Sequence, residues 1–307
     1  MLQIVEVGPR DGLQSHDAFV PTERKVQLIE RLVAAGLTEI EATSFAHPKM
    51  VPHLADAADV MAALPRIDGV RYRGLVPNAK GAARAVDAGV DLVVAFISAS
   101  PGYSEKNQNM TVAAALEQLE AISAVARGAG VPWMAGISMA FGSPYEDEIP
   151  VAGVLDLVDR ISAWDPERVY VADTVGGAAP AAVREMCATI VSRRPQLPLS
   201  VHLHGADARG LACAVAAVDG GAVEVETSIC GLGGPVVRSP GSEIVGNLAT
   251  EAVATTFAEL GIETGLDPDA VRAAARDVAE LLELPGERLA PDAAEVAALA
   301  RGSATSA

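Results

Sequence analysis

The sequence predicts an α/β fold, a closed (β/α)8 TIM barrel, on three observations. Short apolar segments alternate with amphipathic helical segments about eight times along the 307 residues. The segments 93–97 and 169–172 are continuously apolar, as expected for parallel strands that are covered on both faces. A barrel of this type commonly uses roughly 250 residues as one domain. A doubly wound open sheet is the alternative arrangement of the same units.

The elements are assigned in chain order from their hydrophobic period. Strands are predicted near 2–8, 39–44, 71–76, 92–98, 133–140, 168–174, 199–205 and 222–229. Helices are predicted near 22–36, 51–64, 78–88, 111–129, 151–163, 180–194, 207–219 and 247–260, with an extra C-terminal helix near 268–283. We therefore expect one catalytic domain over 1–285 and a partly disordered tail over 286–307.

Composition excludes several classes of protein. A formal net charge of −17 argues against nucleic-acid binding and against attachment to anionic membranes, because both need basic surfaces. No apolar run approaches the roughly 20 residues of a membrane span. The three cysteines form no C-x-x-C pair, and the chain starts directly in a predicted strand, so we expect a soluble cytoplasmic protein.

Polar residues follow nearly every predicted strand at its carboxyl end. They are Arg10, Asp11, Glu41, Thr43, Ser44, Asn78, Ser98, Ser100, Ser138, Asp173, His202, His204, Glu226 and Ser228. Active sites of TIM barrels lie at this end of the strands. The sequence therefore predicts a functional site there.

A divalent-metal site is the most specific prediction within this set. His202 and His204 lie two apart on one strand, so their imidazoles face the same side, and Asp11 ends the first strand. A single histidine on a barrel strand is commonly a hydrogen-bonded core residue. Two nitrogen ligands and one oxygen ligand together indicate an open metal site.

Other residues have two interpretations each. Arg10 forms a surface ion pair with Asp11 or stabilises a developing enolate or carboxylate. Glu41 and Asp173 are partners of that arginine or position groups around the metal. Asn247 is a helix N-cap or a ligand. The segment 106–109 is a plain polar loop or holds part of a ligand.

The motifs, taken in order, resemble the 3-hydroxy-3-methylglutaryl-CoA lyase family. They are VGPRDGLQ (7–14), IEATSF (40–45), VPN (76–78), SAS followed by KNQN (98–100 and 106–109), PYE (144–146), DTVG (173–176), HLH (202–204), GLGG (231–234) and GNLATE (246–251). The resemblance covers about residues 2–265. PRDGLQ separates the chain from isopropylmalate and homocitrate synthases, which carry LRDGEQ.

The resemblance implies a Mg²⁺ or Mn²⁺ ion held by Asp11, His202, His204 and Asn247. It implies cleavage of an acyl-CoA substrate to acetyl-CoA and a 3-oxo acid by a retro-Claisen reaction, in a homodimer. Arg10 would steady the enolate, and His202 is the leading candidate for the base. Glu41 and Asp173 would complete the catalytic set. Substrate-binding positions would be Gln14, Ser44, Asn78, Lys106, Asn107, Gly136 and Ser138.

The chain departs from the family pattern at several positions. The family loop reads GLGGCP and its cysteine is the catalytic thiol, whereas here Gly234 precedes Pro235 directly. Cys230 either replaces that thiol or is an ordinary packed cysteine. If it is packed, the polar groups of the loop are alternative proton donors: Arg238, Ser239, Ser242 and Glu243.

Three further departures concern the pocket. Gly205 follows the second histidine where the family has Asp, and Pro101 replaces a family Glu. A family Tyr that faces the substrate falls on Gly136. We expect this last change to enlarge the pocket by about one aromatic ring.

Three functions remain open at this point. The first is a metal-dependent lyase acting on hydroxymethylglutaryl-CoA or a bulkier analogue. The second is a condensing enzyme of the same superfamily that acts on a bulkier acyl-CoA. The third is a non-catalytic barrel that binds metal and acyl-CoA, which we disfavour because the ligand set and Arg10 are all present.

Overall fold

The computed structural model describes residues 1–146, 148–234 and 246–302. Eight parallel strands close into a barrel in the order β1 to β8, and β1 pairs with β8. The strands are β1 (Gln3–Glu6), β2 (Glu39–Ser44), β3 (Arg71–Leu75), β4 (Leu92–Ser98), β5 (Trp133–Ser138), β6 (Arg168–Asp173), β7 (Leu199–Leu203) and β8 (Glu224–Thr227). The predicted TIM barrel is confirmed, and the open sheet is excluded.

Helices surround the barrel. They are α1 (Thr22–Ala34), α2 (Ala57–Ala63), α3 (Ala79–Asp87), α4 (Pro101–Gln108), α5 (Val112–Gly128), α6 (Val151–Ser162), α7 (Pro180–Arg193), α8 (Ala208–Asp219), α9 (Thr250–Glu259), α10 (Pro268–Leu282) and α11 (Ala293–Ala300). One π-helical turn covers Gly8–Gly12, and short 3-10 turns cover Pro52–Leu54 and Ile229–Gly231. No described helix is long and apolar enough to cross a membrane.

Local chemistry explains where the helices begin and which face they bury. The side chains of Thr111 and Asp207 accept backbone N–H bonds at the starts of α5 and α8. In α1, Leu28, Ile29 and Leu32 are fully buried, a spacing that places them on one face. The helices therefore cover the outside of the strands with apolar side chains.

Two helices correct expectations from the sequence. Lys106 and Asn107 lie in α4 rather than in a polar loop, because Ser100 caps the helix through the N–H of Tyr103 and Pro101 occupies its first turn. In the tail, α11 forms behind the Asp292 cap and buries Val296. The expected disorder is thus wrong for 293–300, while 303–307 lie outside the described residues.

A buried ionic cluster fills the amino-terminal end of the barrel. This floor cluster consists of Glu39, Arg73, Arg168 and Glu224. Arg73 is completely buried, and its Nε and Nη2 each lie 2.6 Å from a carboxylate oxygen, of Glu39 and Glu224 respectively. The cluster closes the barrel from below, so the opposite end is left for the site.

Candidate metal centre

A π-helical turn presents Arg10 and Asp11 directly after β1. The carbonyl oxygen of Val7 accepts the backbone N–H groups of both residues, at 3.0 and 2.7 Å. Gly8 is needed here because a Cβ would lie 2.6 Å from Oε1 of Glu6. The turn thus directs two adjacent charged side chains into the mouth of the barrel.

Asp11, His202 and His204 converge and are named here the mouth cluster. One ligand atom from each lies within 4.8 Å of the others. The Nε2 atoms of the two histidines are 3.1 Å apart. Both rings are buried, and Asp11 is partly buried. The structure therefore brings together the three residues that the sequence predicted as ligands.

The hydrogen bonds of the two imidazoles show which nitrogen is free. Nδ1 of His202 lies 2.9 Å from Oε2 of Glu226, and Nδ1 of His204 lies 2.7 Å from the carbonyl oxygen of Thr174. Both partners are acceptors, so each Nδ1 carries the hydrogen when the ring is neutral. The two Nε2 lone pairs then face each other beside a carboxylate. Such a donor set is suited to a divalent cation.

Electrostatics keeps the carboxylate ionised and one imidazole neutral. Burial acts to raise the pKa of Asp11, but the charges of Arg10 and of both histidines outweigh it and lower that pKa. Burial, reinforced by His202, lowers the pKa of His204 to about 4. The pKa of His202 is raised, because its bond to Glu226 outweighs the burial that would lower it. The pKa shifts of Asp11 and His204 therefore favour their proton-free forms, which are the forms that bind a cation.

Asn247 lies against the mouth cluster, as the sequence predicted. Its Nδ2 donates to Oδ2 of Asp11 at 2.7 Å and to the carbonyl oxygen of Leu232 at 2.8 Å. These bonds use the amide nitrogen, so the amide oxygen is the side-chain atom of Asn247 that would bind a cation. Gly233 packs over this contact with φ +97, and a Cβ there would lie 2.5 Å from Nδ2 of Asn247.

Arg10 bridges Asp11 and Glu41. Its Nη1 lies 2.6 Å from Oδ1 of Asp11, and its Nε lies 2.5 Å from Oε1 of Glu41. Oε2 of Glu41 is buried and has no hydrogen-bond partner among the described residues. Burial raises the pKa of Glu41, although Arg10 opposes this. Glu41 therefore holds the guanidinium at the mouth and retains one unused oxygen.

Glu226 has a role that the sequence reasoning did not assign to it. One of its oxygens accepts from His202, and the other lies 3.1 Å from Nη1 of Arg73. It therefore links the mouth cluster to the floor cluster. The sequence signal for this role was the position of Glu226 at the carboxyl end of β8, two residues after Glu224.

Asp173 is held by the backbone that follows it. Its carboxylate accepts N–H bonds from Gly176, Gly177 and Ala178 at 2.8–3.2 Å. This arrangement shapes the loop whose Thr174 carbonyl orients His204. The geometry favours a positioning role over direct contact with the metal.

The side chains predicted to bind substrate make different hydrogen bonds within the protein. Asn78 caps α3 by accepting the N–H of Gly81 at 2.9 Å, and Oγ of Ser44 accepts the N–H of Ala46. Ser138 donates to the carbonyl oxygen of Ile97. Asn107 contacts the hydroxyl of Tyr103. These bonds give each side chain a structural role, and their contact with substrate stays a prediction, as it does for Lys106 and the half-buried Gln14.

Cys230 does not face the mouth cluster. Its Sγ donates to the carbonyl oxygen of Ala275 in α10 at 3.3 Å. Burial raises the pKa of this thiol to about 12. The geometry favours a packed cysteine over a replacement for the family thiol. The other proposed proton donors, Arg238, Ser239, Ser242 and Glu243, lie outside the described residues.

The expected enlargement of the pocket at Gly136 is wrong. A Cβ built on Gly136 would lie 1.8 Å from Cζ of Tyr170, so the tyrosine ring occupies the space that a side chain would need. The sequence could not show this compensation, because Tyr170 is on the neighbouring strand and reads as one residue of an apolar run.

A cavity of about 290 Å³ opens beside His204. Asp173, Arg209 and Cys213 are also among the residues that line it. Ligand pockets of this kind are concave and combine a few polar groups with apolar walls. The cavity thus offers space next to His204 and the start of α8, whereas Asp11 and His202 are not among the residues that line it.

Comparison with known proteins identifies the family. The sequence matches the HMGL-like family over residues 1–278. The chain belongs to the HMGL-like family. It is 38% identical over 266 residues to a mitochondrial hydroxymethylglutaryl-CoA lyase of Bos taurus, with 87% of this chain and 81% of the relative covered. It is 35% identical to a hydroxymethylglutaryl-CoA lyase of Bacillus subtilis, with 92% and 93% covered.

A solved structure of the same family supports the architecture. An HMG-CoA lyase from Acinetobacter baumannii, in complex with coenzyme A and 3-methylmalate, superposes with a TM-score of 0.87 at 33% identity. The comparison covers 93% of this chain and 92% of that chain. The resemblance read from the motifs is thereby confirmed for this HMGL-like chain.

Proposed function

We propose that this chain is a divalent-metal-dependent carbon–carbon lyase that cleaves 3-hydroxy-3-methylglutaryl-CoA to acetyl-CoA and a 3-oxo acid. The convergence of the Asp11 carboxylate with two imidazole Nε2 atoms, beside Arg10, carries the proposal. The names of the relatives support it, since they are hydroxymethylglutaryl-CoA lyases at 35–38% identity.

The proposed cofactor is Mg²⁺ or Mn²⁺, held by Asp11, His202, His204 and the amide oxygen of Asn247. A bound divalent ion would supply Lewis-acid chemistry, lowering the pKa of the substrate's tertiary hydroxyl so that it ionises near neutral pH. The oxygen and nitrogen donors present fit such an ion.

The residues around the ion have separate roles in the reaction. Loss of the hydroxyl proton to a base lets the bond between C2 and C3 break, and its electron pair becomes the enolate of acetyl-CoA. We expect Arg10 to donate to that enolate oxygen, and its bond to Glu41 supports this role by holding the guanidinium in position. Glu226 fixes the ring of His202. That His202 is the base stays a prediction and competes with its role as a ligand, because Nδ1 is bonded to Glu226 and Nε2 would hold the ion. A proton returned to the enolate carbon completes acetyl-CoA.

The setting of the protein is also part of the proposal. A reducing cytoplasm agrees with the three described cysteines, which are all buried and free. A homodimer is proposed from the family resemblance, and light scattering of the purified protein measures its mass in solution.

The function is tested by acetyl-CoA release from a panel of 3-hydroxyacyl-CoA thioesters, with added Mn²⁺ and after chelation. We expect metal-dependent release from the 3-hydroxy-3-methylglutaryl thioester, and no release after chelation. Absence of release from every thioester in the presence of Mn²⁺ would overturn the proposal. Net formation of a thioester from acetyl-CoA and a 3-oxo acid, without measurable cleavage, would favour the condensing enzyme.

A further inference from the structure

Tyr170 lies inside the barrel on β6, directly across from a glycine on β5. Gly136 and Tyr170 are partners in the register of the two strands. Ideal Cβ geometry at Gly136 places that atom 1.8 Å from Cζ of the tyrosine and 2.2–2.3 Å from both Cε atoms. The phenol end of the ring therefore lies over Gly136, and no other residue type at 136 leaves room for it.

This side chain has both apolar and polar neighbours. It packs with apolar residues of the barrel interior, namely Leu75, Leu92, Val94, Met134 and Ala172, with Phe96 beside them. Its ring centroid is also 6.2 Å from that of His202. A tyrosine with an apolar base and a polar tip suits the boundary between a core and a site.

The ring lies close to the charged groups of the site. Glu226, Arg10, Glu41 and Asp11 are the charged side chains whose fields act on the pKa of its hydroxyl. Burial, assisted by the nearby carboxylates, raises the pKa of Tyr170 well above its ordinary value, so the group remains a neutral donor. The residue is only 6% exposed, so little of it is open to solvent.

We propose that Tyr170 contacts the substrate: its hydroxyl donates a hydrogen bond to an oxygen of the acyl group, and its ring limits the 3-substituent to a small group such as methyl. This inference rests on the proposed function and makes it narrower. It replaces the bulkier substrate expected from the sequence, because the space at Gly136 is filled. Gly136 then determines specificity indirectly, because only glycine at this position leaves room for the ring of Tyr170.

The hydroxyl is tested by Tyr170→Phe, which removes one atom and keeps the ring. We expect kcat/KM for the 3-hydroxy-3-methylglutaryl thioester to fall about 10–100-fold. This is the usual effect of losing one hydrogen bond to a group that is charged or becomes charged in the transition state. Bound manganese, measured by elemental analysis, and the thermal midpoint should stay close to wild type.

Tyr72→Phe is the matched control. Tyr72 is equally buried, but its hydroxyl donates to the carbonyl oxygen of Pro65 on the outer side of the barrel. This variant should keep its kcat/KM. Activity of Tyr170→Phe within twofold of wild type would overturn the contact with substrate.

The ring is tested by Tyr170→Ala and Tyr170→Leu with two thioesters that carry a 3-methyl or a 3-propyl group. We expect the ratio of kcat/KM values to shift at least about 10-fold toward the larger substrate, since added methylenes in a pocket are discriminated by about that factor or more. An unchanged ratio in the folded variants would overturn the size limit. If the wild-type enzyme cleaves neither thioester, the proposed function itself fails, which distinguishes the two failures.

Discussion

Both ends of the barrel interior hold a buried arginine among carboxylates, but the guanidinium groups of Arg73 and Arg10 differ in how fully they are paired. In the floor cluster, Arg73 directs Nε, Nη1 and Nη2 to Glu39, Glu226 and Glu224. Each nitrogen of the guanidinium has a carboxylate partner. Among the described residues, the one buried side-chain atom of the floor cluster without a partner is Nε of Arg168, which is a donor and cannot bind a metal ion.

The mouth cluster is incomplete by comparison. Among the described residues, the hydrogen bonds of Arg10 use only Nε and Nη1, and Oε2 of Glu41 has no partner. Two imidazole lone pairs also converge on one carboxylate. Unsatisfied buried groups cost stability, so their retention points to a ligand. The difference teaches that unpaired acceptor atoms and lone pairs that converge on one point, rather than burial or charge, distinguish the mouth cluster from the floor cluster.

The largest expected effect is a loss of stability when the floor cluster is disrupted. Arg73→Met removes the arginine partner of Glu226 and leaves Glu39 and Glu224 with Arg168 alone within the floor cluster, so the free energy of unfolding should fall by about 3–5 kcal/mol. Denaturant unfolding measures this. Arg272→Met removes an exposed pair with Asp269 and should cost under about 1 kcal/mol. Equal losses of unfolding free energy in the two variants would show that the floor cluster stabilises the fold no more than an exposed ion pair does.

The next effect is on the chemistry at the mouth. Arg10→Met should lower kcat about 10²–10³-fold with a much smaller change in KM, because a guanidinium aimed at a developing enolate acts mainly in the transition state. Steady-state kinetics on the 3-hydroxy-3-methylglutaryl thioester separates the two constants. A change confined to KM would mean that Arg10 only binds the ground-state substrate.

A smaller effect tests the residue that joins the two ends. Glu226→Gln keeps the size of the side chain but weakens the orientation of His202, so manganese affinity should fall about 10–100-fold. Titration calorimetry measures the dissociation constant. Glu224→Gln is the control, since Glu224 contacts Arg73 but is not bonded to His202. Equal manganese affinities in the two variants would mean that Glu226 contributes to the floor cluster and does not orient His202.

The smallest expected effect concerns Cys230. Because its thiol is buried and donates to Ala275, Cys230→Ser should retain activity within about threefold, and iodoacetamide near pH 8 should not inactivate the native enzyme. Rapid inactivation that the serine variant resists would assign catalytic proton transfer to this thiol after all.

The barrel and the mouth cluster could be predicted from the sequence because both depend on local patterns. Apolar runs gave the eight strands, and the His-x-His spacing placed two rings on one face. The role of Tyr170 could not be predicted, because it depends on a glycine on another strand and on the register between them. Glu226 could not be assigned for a related reason. Its two oxygens contact residues from β3 and β7, and only the closed barrel brings these together.

The central claim is that the mouth cluster binds a divalent metal and the floor cluster does not. Manganese bound per chain, measured by elemental analysis after dialysis, tests this in wild type and in His204→Ala, with the exposed His47→Ala as control. We predict about one ion per chain in wild type and in His47→Ala, and almost none in His204→Ala, with all three proteins folded. Equal manganese content in His204→Ala and wild type would contradict the account.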